Sequence, residues 1–359
     1  NYRSTQTILD AASDIISKKT LQKKKRLWTR RTGGGKIMIA EFQDERREAE
    51  CIADTIREHC ANGGRHRDCA VLYRTNAQSR IIEEKFLEND IPYTIVGGVP
   101  FHARREIKDI LAYFRYALNE RDVYSLKRII NIPPRKIGKQ TLLKFLNAST
   151  LRRWEAENIR AFVDCIEWLK REIHDRAPSE AALALIKKIS YIEYLEDATQ
   201  DSDIREENIK EFISLASRYD HLKRPEGVAK LLENMSLAAE ADTKQGRTDG
   251  VEMMTLHAAK GLEFPVVFIA GMEEGIFPHS RSQIDPAALE EERRLCYVGM
   301  TRAKDRLYLT SARRRMLFGA IQANLPSRFL SEISSEHIEH IAPDDEGDDK
   351  FEKYDDTTI

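Results

Sequence analysis

The run of residues 69–76, Cys69-Ala-Val-Leu-Tyr-Arg-Thr-Asn76, decides the fold, because an uncharged segment ends abruptly there at a polar turn. A short apolar run of this kind is typical of a strand that is buried on both faces of a parallel sheet. Around it the sequence alternates between strand patterns at 37–42 and 93–96 and helical patterns at 4–18, 44–60 and 77–89. Ser4 is the predicted N-cap of the first helix. This alternation predicts a parallel α/β sheet covered by helices.

The middle of the chain has a different pattern. Amphipathic helical stretches follow one another there without a strand pattern, at 104–118, 122–130, 139–147, 153–173, 179–188, 204–222 and 226–237. Strand patterns return at 253–256, 265–270 and 306–310. We therefore predict one α/β domain, formed by residues 1–97 and 249–340, that is interrupted by an all-helical insertion at 98–248.

Composition narrows the class of protein. With 41% hydrophobic and 33% charged residues, the 359-residue chain suits a core-forming, helix-rich protein of two or three domains. No apolar run approaches the ~18 residues that a membrane helix requires, so no membrane partner is expected. The five cysteines form no Cys-x-x-Cys pair, which favours reduced thiols and a cytoplasmic location over disulfides or a zinc site. The first residue is Asn1, so we expect the chain to begin inside a longer protein.

The formal net charge of -1 conceals an asymmetry. Residues 344–356 carry eight acidic side chains against two lysines, which leaves the rest of the chain mildly basic. The acidic end, residues 341–359, has few apolar side chains and is predicted to be a disordered tail. A mildly basic body is compatible with a polyanionic partner, although most domains of this charge bind no nucleic acid.

Two polar stretches carry most of the chemical information. They are Thr255-Leu-His-Ala-Ala-Lys-Gly-Leu-Glu-Phe264 and Glu291-Glu-Arg-Arg-Leu-Cys-Tyr-Val-Gly-Met-Thr-Arg-Ala303. Each lies where a predicted strand or helix meets a polar turn, as site residues of open α/β sheets often do. Together with Asn1-Tyr-Arg-Ser4 and Tyr73-Arg-Thr-Asn76, they closely resemble the motifs of the UvrD/PcrA/Rep helicases of superfamily 1. The resemblance continues through residues 91–98, 272–278 and 326–329, and it is strongest to the PcrA/UvrD branch.

The resemblance implies the C-terminal half of such a helicase. The expected fold is a second RecA-like motor domain of the P-loop NTPase type, without the phosphate loop itself, and an inserted accessory domain. Arg3 and Arg302 are then expected to contact the γ-phosphate of ATP, and Glu263 to lie near the nucleotide sugar. The residues expected on the single-stranded DNA track are Arg74, Thr75, Asn76 and His257. A rigid guanidinium fork suits the charge that spreads over a transferring phosphoryl group.

Most of these residues also have a purely structural interpretation. The motif context favours the functional interpretation over the structural one most strongly for Arg302, Glu263 and Arg3, and less strongly for His257 and Arg74. In the structural alternatives, Arg302 forms an ion pair with Glu291 or Glu292, and Glu263 pairs with Lys260. His257 would then be a buried histidine bonded to backbone, and Arg3 a solvated residue at the chain terminus.

The sequence contains only part of a nucleotide cleft. Gly33-Gly-Gly-Lys36 is not a phosphate loop, because the pattern requires a glycine where Arg30 stands and a hydroxyl where Ile37 stands. In the family, the phosphate loop and the acidic segment that holds Mg²⁺ precede the Asn-Tyr-Arg-Ser motif. We therefore expect a 3′–5′ DNA helicase that uses ATP and Mg²⁺ when this chain is joined to its N-terminal RecA-like domain, and an inactive chain otherwise. The alternative is a non-enzymatic DNA-binding or regulatory protein with a helicase-derived fold.

Residues 132–141 resemble the helix–hairpin–helix-like element of the family's accessory domain. Gly138 precedes a predicted helix and allows a DNA phosphate to approach the backbone N–H groups. The nearby charges are Arg135, Lys136 and Lys139. The usual hairpin has glycine on both sides of its apolar residue, whereas Lys136 occupies the first position here. The hypothesis is that Arg135, Gly138 and Lys139 contact tailed duplex DNA, and the equally weighted alternative is a plain turn between packed helices.

Overall fold

A computed structural model gives the fold and describes residues 4–17, 29, 31, 33–147, 149–198, 202–244, 249–317 and 320–341. The predictions for Arg3 and for the acidic tail beyond Ile341 fall outside these residues. Every other candidate site residue lies within them.

Strands and helices alternate at both ends of the described chain, and its middle is helical. The first part contains α1 (Gln6–Ser17), β1 (Ile37–Asp44), α2 (Glu45–Ala61), β2 (Cys69–Tyr73), α3 (Ser79–Glu88) and β3 (Tyr93–Ile95). The middle contains α4 (Arg105–Leu118), α5 (Val123–Ile129), α6 (Lys139–Leu146), α7 (Arg153–Asp175), α8 (Pro178–Lys188), α9 (Tyr191–Ala198), α10 (Ser202–Ser217) and α11 (Glu226–Lys244). The last part contains β4 (Val251–Thr255), β5 (Phe264–Ile269), α12 (Pro286–Met300), β6 (Ala303–Leu317), β7 (Ala320–Gln322), α13 (Arg328–Ser331) and β8 (Ile338–Ile341).

Seven strands form a parallel sheet in the order β3-β4-β2-β5-β6-β1-β8, and β7 pairs antiparallel with β6. Of the eight strands in the described part of the chain, three precede the helical segment α4–α11 and five follow it. The predicted parallel α/β fold with a helical insertion is therefore confirmed. The domain boundaries at residues 98 and 248 stay a prediction.

Helices cover both faces of the sheet, and every residue of β2 is buried between them. On one face α1 and α12 pack against the strands through Ile8 and Leu295. On the other face α2 packs through four fully buried residues that recur at helical spacing: Ala49, Ile52, Ala53 and Ile56. The insertion has an apolar core of its own, built around Phe114, Phe162 and Phe212.

The structure corrects several element predictions. Helix α1 begins at Gln6, and Thr5, the residue before it, donates its backbone N–H outside the helix, to the Lys304 carbonyl at 3.2 Å. The buried hydroxyl of Ser4 has no hydrogen-bond partner among the described residues, so the predicted cap is wrong. Strand β6 is much longer than its predicted core, because its second half pairs with β1 and β7. The sequence patterns did not mark α9, α12, β7, β8 or the one-turn helix α13.

The insertion contacts the sheet domain through buried charged side chains. Arg80 of α3 forms an ion pair with Glu211 of α10, and both side chains are almost completely buried. Arg104, just before α4, donates to Asn208 Oδ1 at 2.7 Å and to Ser79 Oγ at 2.8 Å. Because buried charges cost free energy when they lose a partner, these pairs fix how the insertion lies on α3.

We predict that Glu211→Ala lowers the free energy of unfolding by about 3 kcal/mol, because it leaves the Arg80 guanidinium buried without its main partner. Urea denaturation followed by tryptophan fluorescence measures this change, since Trp168 packs on the core of the insertion. Glu206→Ala is the matched control on the same helix. It removes an exposed pair with Lys210 and should cost ~0.5 kcal/mol or less. Equal losses in the two variants would contradict the assigned role of the interface.

Candidate functional site

The strand order divides the candidate residues between two opposite edges of the sheet. Arg74 and His257 follow β2 and β4, so they lie at the edge where the parallel strands end at their carboxyl termini. Glu263 and Arg302 precede β5 and β6, so they lie at the amino-terminal edge. We call these the carboxyl edge and the amino edge. The segment 256–263, called the crossing segment below, runs from one edge to the other.

At the carboxyl edge, Gln78 joins the turns that follow β2 and β5. Its Oε1 accepts the backbone N–H groups of Arg74 and Thr75, both at 3.0 Å. Its Nε2 donates to the Ala270 carbonyl at 3.1 Å. This buried amide therefore fixes the backbone of the Arg-Thr-Asn turn. The carboxamide of Asn76, which is partly exposed, makes no hydrogen bond to the described residues.

The charge of Arg74 is balanced by Glu292 of α12. The Arg74 Nε lies 3.0 Å from both carboxylate oxygens, and Nη2 donates to Oε1 at 2.8 Å. Glu292 also accepts the backbone N–H of His279 at 3.1 Å. Arg74 is thus held in a two-pronged ion pair, and its guanidinium is only partly exposed. A phosphate that contacted Arg74 would therefore share its guanidinium with the Glu292 carboxylate.

His257 has an exposed side chain, so its interpretation as a buried, backbone-bonded histidine is wrong. Partial desolvation by neighbouring residues lowers the pKa of His257 below its usual 6.5, and the positive charge of Arg74 lowers it further. The carboxylates of Glu292 and Glu291 act in the opposite direction. His279 has a lowered pKa from burial and from Arg74 in the same way. Both imidazoles are therefore neutral near pH 7.

At the amino edge, Arg302 is held by backbone carbonyls rather than by Glu291 or Glu292. Its Nε donates to the Val298 carbonyl at 2.9 Å, and its Nη1 donates to the Leu262 carbonyl at 3.0 Å. The ion-pair interpretation of Arg302 is therefore wrong. These bonds attach the end of α12 to the end of the crossing segment and fix the direction of the guanidinium.

Glu263 lies beside Arg302 on the same edge. Its partner is Lys304, at 2.8 Å, rather than Lys260. The Lys304 carbonyl accepts the backbone N–H of Thr5 at 3.2 Å, which brings the first described residues to this edge. Lys304 was not predicted as a site residue, because it lies just beyond the motif that ends at Ala303.

The crossing segment packs closely under α12. Leu256 continues the sheet by donating its backbone N–H to the Tyr73 carbonyl at 2.8 Å, and its side chain is fully buried. A Cβ at Gly299 of α12 would lie 2.4 Å from Leu256 Cδ2, so glycine is what allows the helix to approach. Gly261 has a φ of +95°, a left-handed conformation that favours glycine. Local backbone geometry therefore sets the path between the two edges.

The turn at residues 132–141 of the insertion holds one of the predicted DNA-contact residues, Arg135, by its guanidinium. The Arg135 guanidinium turns inward, where it donates to the Tyr113 hydroxyl at 2.6 Å and to the Ile132 carbonyl at 3.0 Å. The expected contact of Arg135 with DNA is therefore not supported, because its donors hold the turn together. Lys136 adopts the left-handed conformation that glycine would favour, with a φ of +58°, and its side chain is exposed. The exposed Gly138 precedes α6, which begins at the exposed Lys139.

The described residues show neither a metal cluster nor a membrane span. They contain no group of three or more His, Cys, Asp or Glu side chains arranged to hold a metal ion. Among the helices of the described part of the chain, none is both long and apolar enough to cross a membrane.

The motifs at the two edges correspond to a known family. The family model for the UvrD-like helicase C-terminal domain matches residues 1–314. The chain belongs to this family. The resemblance inferred from the short motifs is therefore confirmed over most of the chain.

Individual relatives extend this membership. The chain is 42% identical over 365 aligned residues to the ATP-dependent DNA helicase PcrA of Staphylococcus aureus (strain Mu50), with 95% of this chain and 50% of the relative covered. It is 40% identical over 361 residues to PcrA of Staphylococcus epidermidis, with 94% and 49% covered. The chain thus spans about half the length of the curated relatives it matches. A solved C-terminal domain of a possible DNA helicase from Lactobacillus plantarum aligns over 95% of this chain and 98% of its own, at 11% identity and a TM-score of 0.38.

We predict that Arg74→Ala raises the pKa of both His257 and His279, because it removes a nearby positive charge and leaves the Glu292 carboxylate uncompensated. Titration of the histidine Cε1–H resonances by NMR measures both values. Arg281→Ala is the control, since that arginine lowers the pKa of His279 and is not among the charges acting on His257. Unchanged titration of both histidines in Arg74→Ala would contradict the geometry of the carboxyl edge.

Proposed function

We propose that this chain is the second motor domain, with its inserted accessory domain, of an ATP-dependent DNA helicase that moves 3′ to 5′ on single-stranded DNA. Membership of the UvrD-like family and the similarity to the ATP-dependent DNA helicase PcrA support this function for the whole protein. In this proposal the amino edge faces ATP and the carboxyl edge faces DNA. Its partners are single-stranded and tailed duplex DNA and the N-terminal motor domain of the same cytoplasmic protein.

One observation carries the proposal. The candidate nucleotide residues and the candidate DNA residues lie at opposite edges of one sheet, and the crossing segment joins them over eight residues. A change in the position of Arg302 is transmitted to Leu262 through a direct hydrogen bond. At its other end the segment contains His257 and begins at Leu256, which bonds to Tyr73 just before the Arg-Thr-Asn turn. This continuous path gives a physical route between ATP hydrolysis and movement along DNA.

The amino edge supplies cationic groups for a nucleotide. Arg302 is prealigned by the carbonyls of Val298 and Leu262, so little reorganisation accompanies contact with a γ-phosphate. We assign Arg3 to the same phosphate, and the nearby anchoring of Thr5 to Lys304 supports this assignment. Glu263 is assigned to the nucleotide sugar. Mg²⁺ would neutralise phosphate charge when bound, and its ligands are assigned to the other motor domain.

The carboxyl edge suits a DNA backbone more than base recognition. Arg74, Thr75, Asn76 and His257 offer polar groups on turns that Gln78 and Glu292 hold rigid. Contacts of such groups with phosphate position a strand without reading its sequence. The neutral imidazole of His257 would donate a hydrogen bond or stack against a base. In the insertion, Gly138 and Lys139 remain candidates for the duplex, together with the exposed Lys136.

We predict that Arg302→Ala lowers kcat for DNA-stimulated ATP hydrolysis by roughly 10³-fold or more in the protein that contains both motor domains. Arg302→Lys should recover only part of this loss, because an ammonium cannot reproduce the guanidinium fork. Steady-state ATPase assays with oligothymidine measure the effect, and binding of the same oligonucleotide without nucleotide should be preserved.

Arg306→Ala serves as the control, since Arg306 is an exposed arginine on β6 close to the same edge. It should leave kcat within a factor of about two, as surface substitutions usually do. Wild-type turnover in Arg302→Ala would remove this residue from the nucleotide site. A wild-type protein that binds DNA but neither hydrolyses ATP nor unwinds a 3′-tailed duplex would favour the non-enzymatic alternative.

A further inference from the structure

A cavity of about 370 Å³ lies where the insertion meets the carboxyl edge of the sheet. Its walls include Asn76 from the turn after β2, Gly98 from the link into the insertion, and three arginines: Arg104, Arg105 and Arg205. None of the predicted site residues except Asn76 belongs to it. The cavity therefore extends the carboxyl edge towards the insertion, and the sequence motifs did not reveal it.

The charge of the cavity is positive. Glu106 is the acidic residue among its walls, and its Oε1 accepts the amide of Asn208 at 2.6 Å. Arg104 is buried and bonded to Asn208, to Ser79 and to the Asn76 carbonyl at 3.3 Å, so its charge is fixed in place. Arg105 is exposed and donates to the Tyr194 hydroxyl at 2.7 Å. The charge of Arg104 is also paired with Glu83 at 3.8 Å, so Arg105 and Arg205 are the arginines of the cavity that are left to attract an anion.

Arg205 distinguishes this cavity from an ordinary basic surface. Its Nη1 is buried and has no hydrogen-bond partner among the described residues. Charged donors of folded proteins are nearly always satisfied, and the Arg205 side chain is only partly buried, so its guanidinium is the group in this cavity that an anion would compensate. Asn76, whose carboxamide makes no hydrogen bond to the described residues, lines the same cavity. Two apolar side chains, Val99 and Ile204, are exposed at 52% and 44% beside these polar groups.

We propose that this cavity binds a phosphate group of single-stranded DNA, with Arg205 and Asn76 as the contacting side chains and Arg104 as a fixed supporting charge. The inference rests on the proposed function and extends it, because it continues the DNA path from the Arg-Thr-Asn turn to the insertion. Val99 and Ile204 then lie against the sugars or bases that flank the phosphate. A DNA strand held in this cavity contacts the sheet domain and α10 at the same time, so DNA binding favours one orientation of the insertion.

The test compares Arg205→Ala with Lys210→Ala in the 359-residue chain. Lys210 is an exposed lysine of α10 that does not line the cavity, so it is matched in charge and in helix. Fluorescence anisotropy with labelled oligothymidine should show ~5-fold weaker binding at 0.1 M salt for Arg205→Ala, with a log–log salt slope smaller by roughly 0.7. Lys210→Ala should bind like the wild type. The melting temperature of Arg205→Ala without DNA should be unchanged or higher, because the variant removes an unsatisfied buried donor.

The outcomes separate this inference from the function on which it rests. Equal affinities and salt slopes for the two variants, with normal binding by the wild type, would overturn the cavity and leave the proposed function intact. No DNA binding by the wild type would count against both. Stabilisation by inorganic phosphate that is lost in Arg205→Ala, with DNA binding unchanged, would make this a site for free phosphate and overturn the DNA assignment. A lowered melting temperature with unchanged DNA binding would make Arg205 structural.

Discussion

The position of β2 between β4 and β5 is the constraint on which the candidate site depends. Since all three strands are parallel, the chain that leaves the end of β4 must return along the whole sheet before β5 begins. Residues 256–263 make this passage without a helix, under α12 and against the buried Leu256. A short, packed connection transmits displacement better than a loose loop would. The proposed coupling of nucleotide and DNA therefore follows from the strand order.

The insertion is attached to this machinery by charge rather than by apolar packing alone. Arg80 and Glu211 form a buried pair, and Arg104 joins Asn208 of α10 to the carbonyl of Asn76. Buried pairs of this kind are sensitive to geometry, because a small separation leaves a charge uncompensated. The Arg-Thr-Asn turn is thus connected to α10 of the insertion through Arg104. The inward Arg135 shows that a basic residue in a motif can serve the turn itself.

Apolar periodicity predicted the parallel sheet and the helical insertion, and the motifs named Arg74, His257, Glu263 and Arg302 as candidate residues. The placement of these two pairs at opposite edges came from the strand order of the structure. The sequence did not predict which partners hold these side chains. Glu292 comes close to Arg74 through the packing of α12, and Lys304 comes close to Glu263 through the pairing of β5 with β6. Short elements such as β7 and β8 have too few residues for a period. The cavity at Arg205 was equally hidden, since its walls come from three separate segments.

Gly261→Ala tests the central claim most directly, in the protein with both motor domains. The site has room for a methyl group, but a φ of +95° strains alanine, so the variant alters the path of the crossing segment and no proposed contact residue. Gly63→Ala is the control, with a φ of +89° and equal room in the turn after α2. We expect Gly261→Ala to keep its affinity for oligothymidine and to lose most of the DNA stimulation of its ATPase, unlike Gly63→Ala. Wild-type stimulation in Gly261→Ala would contradict the account.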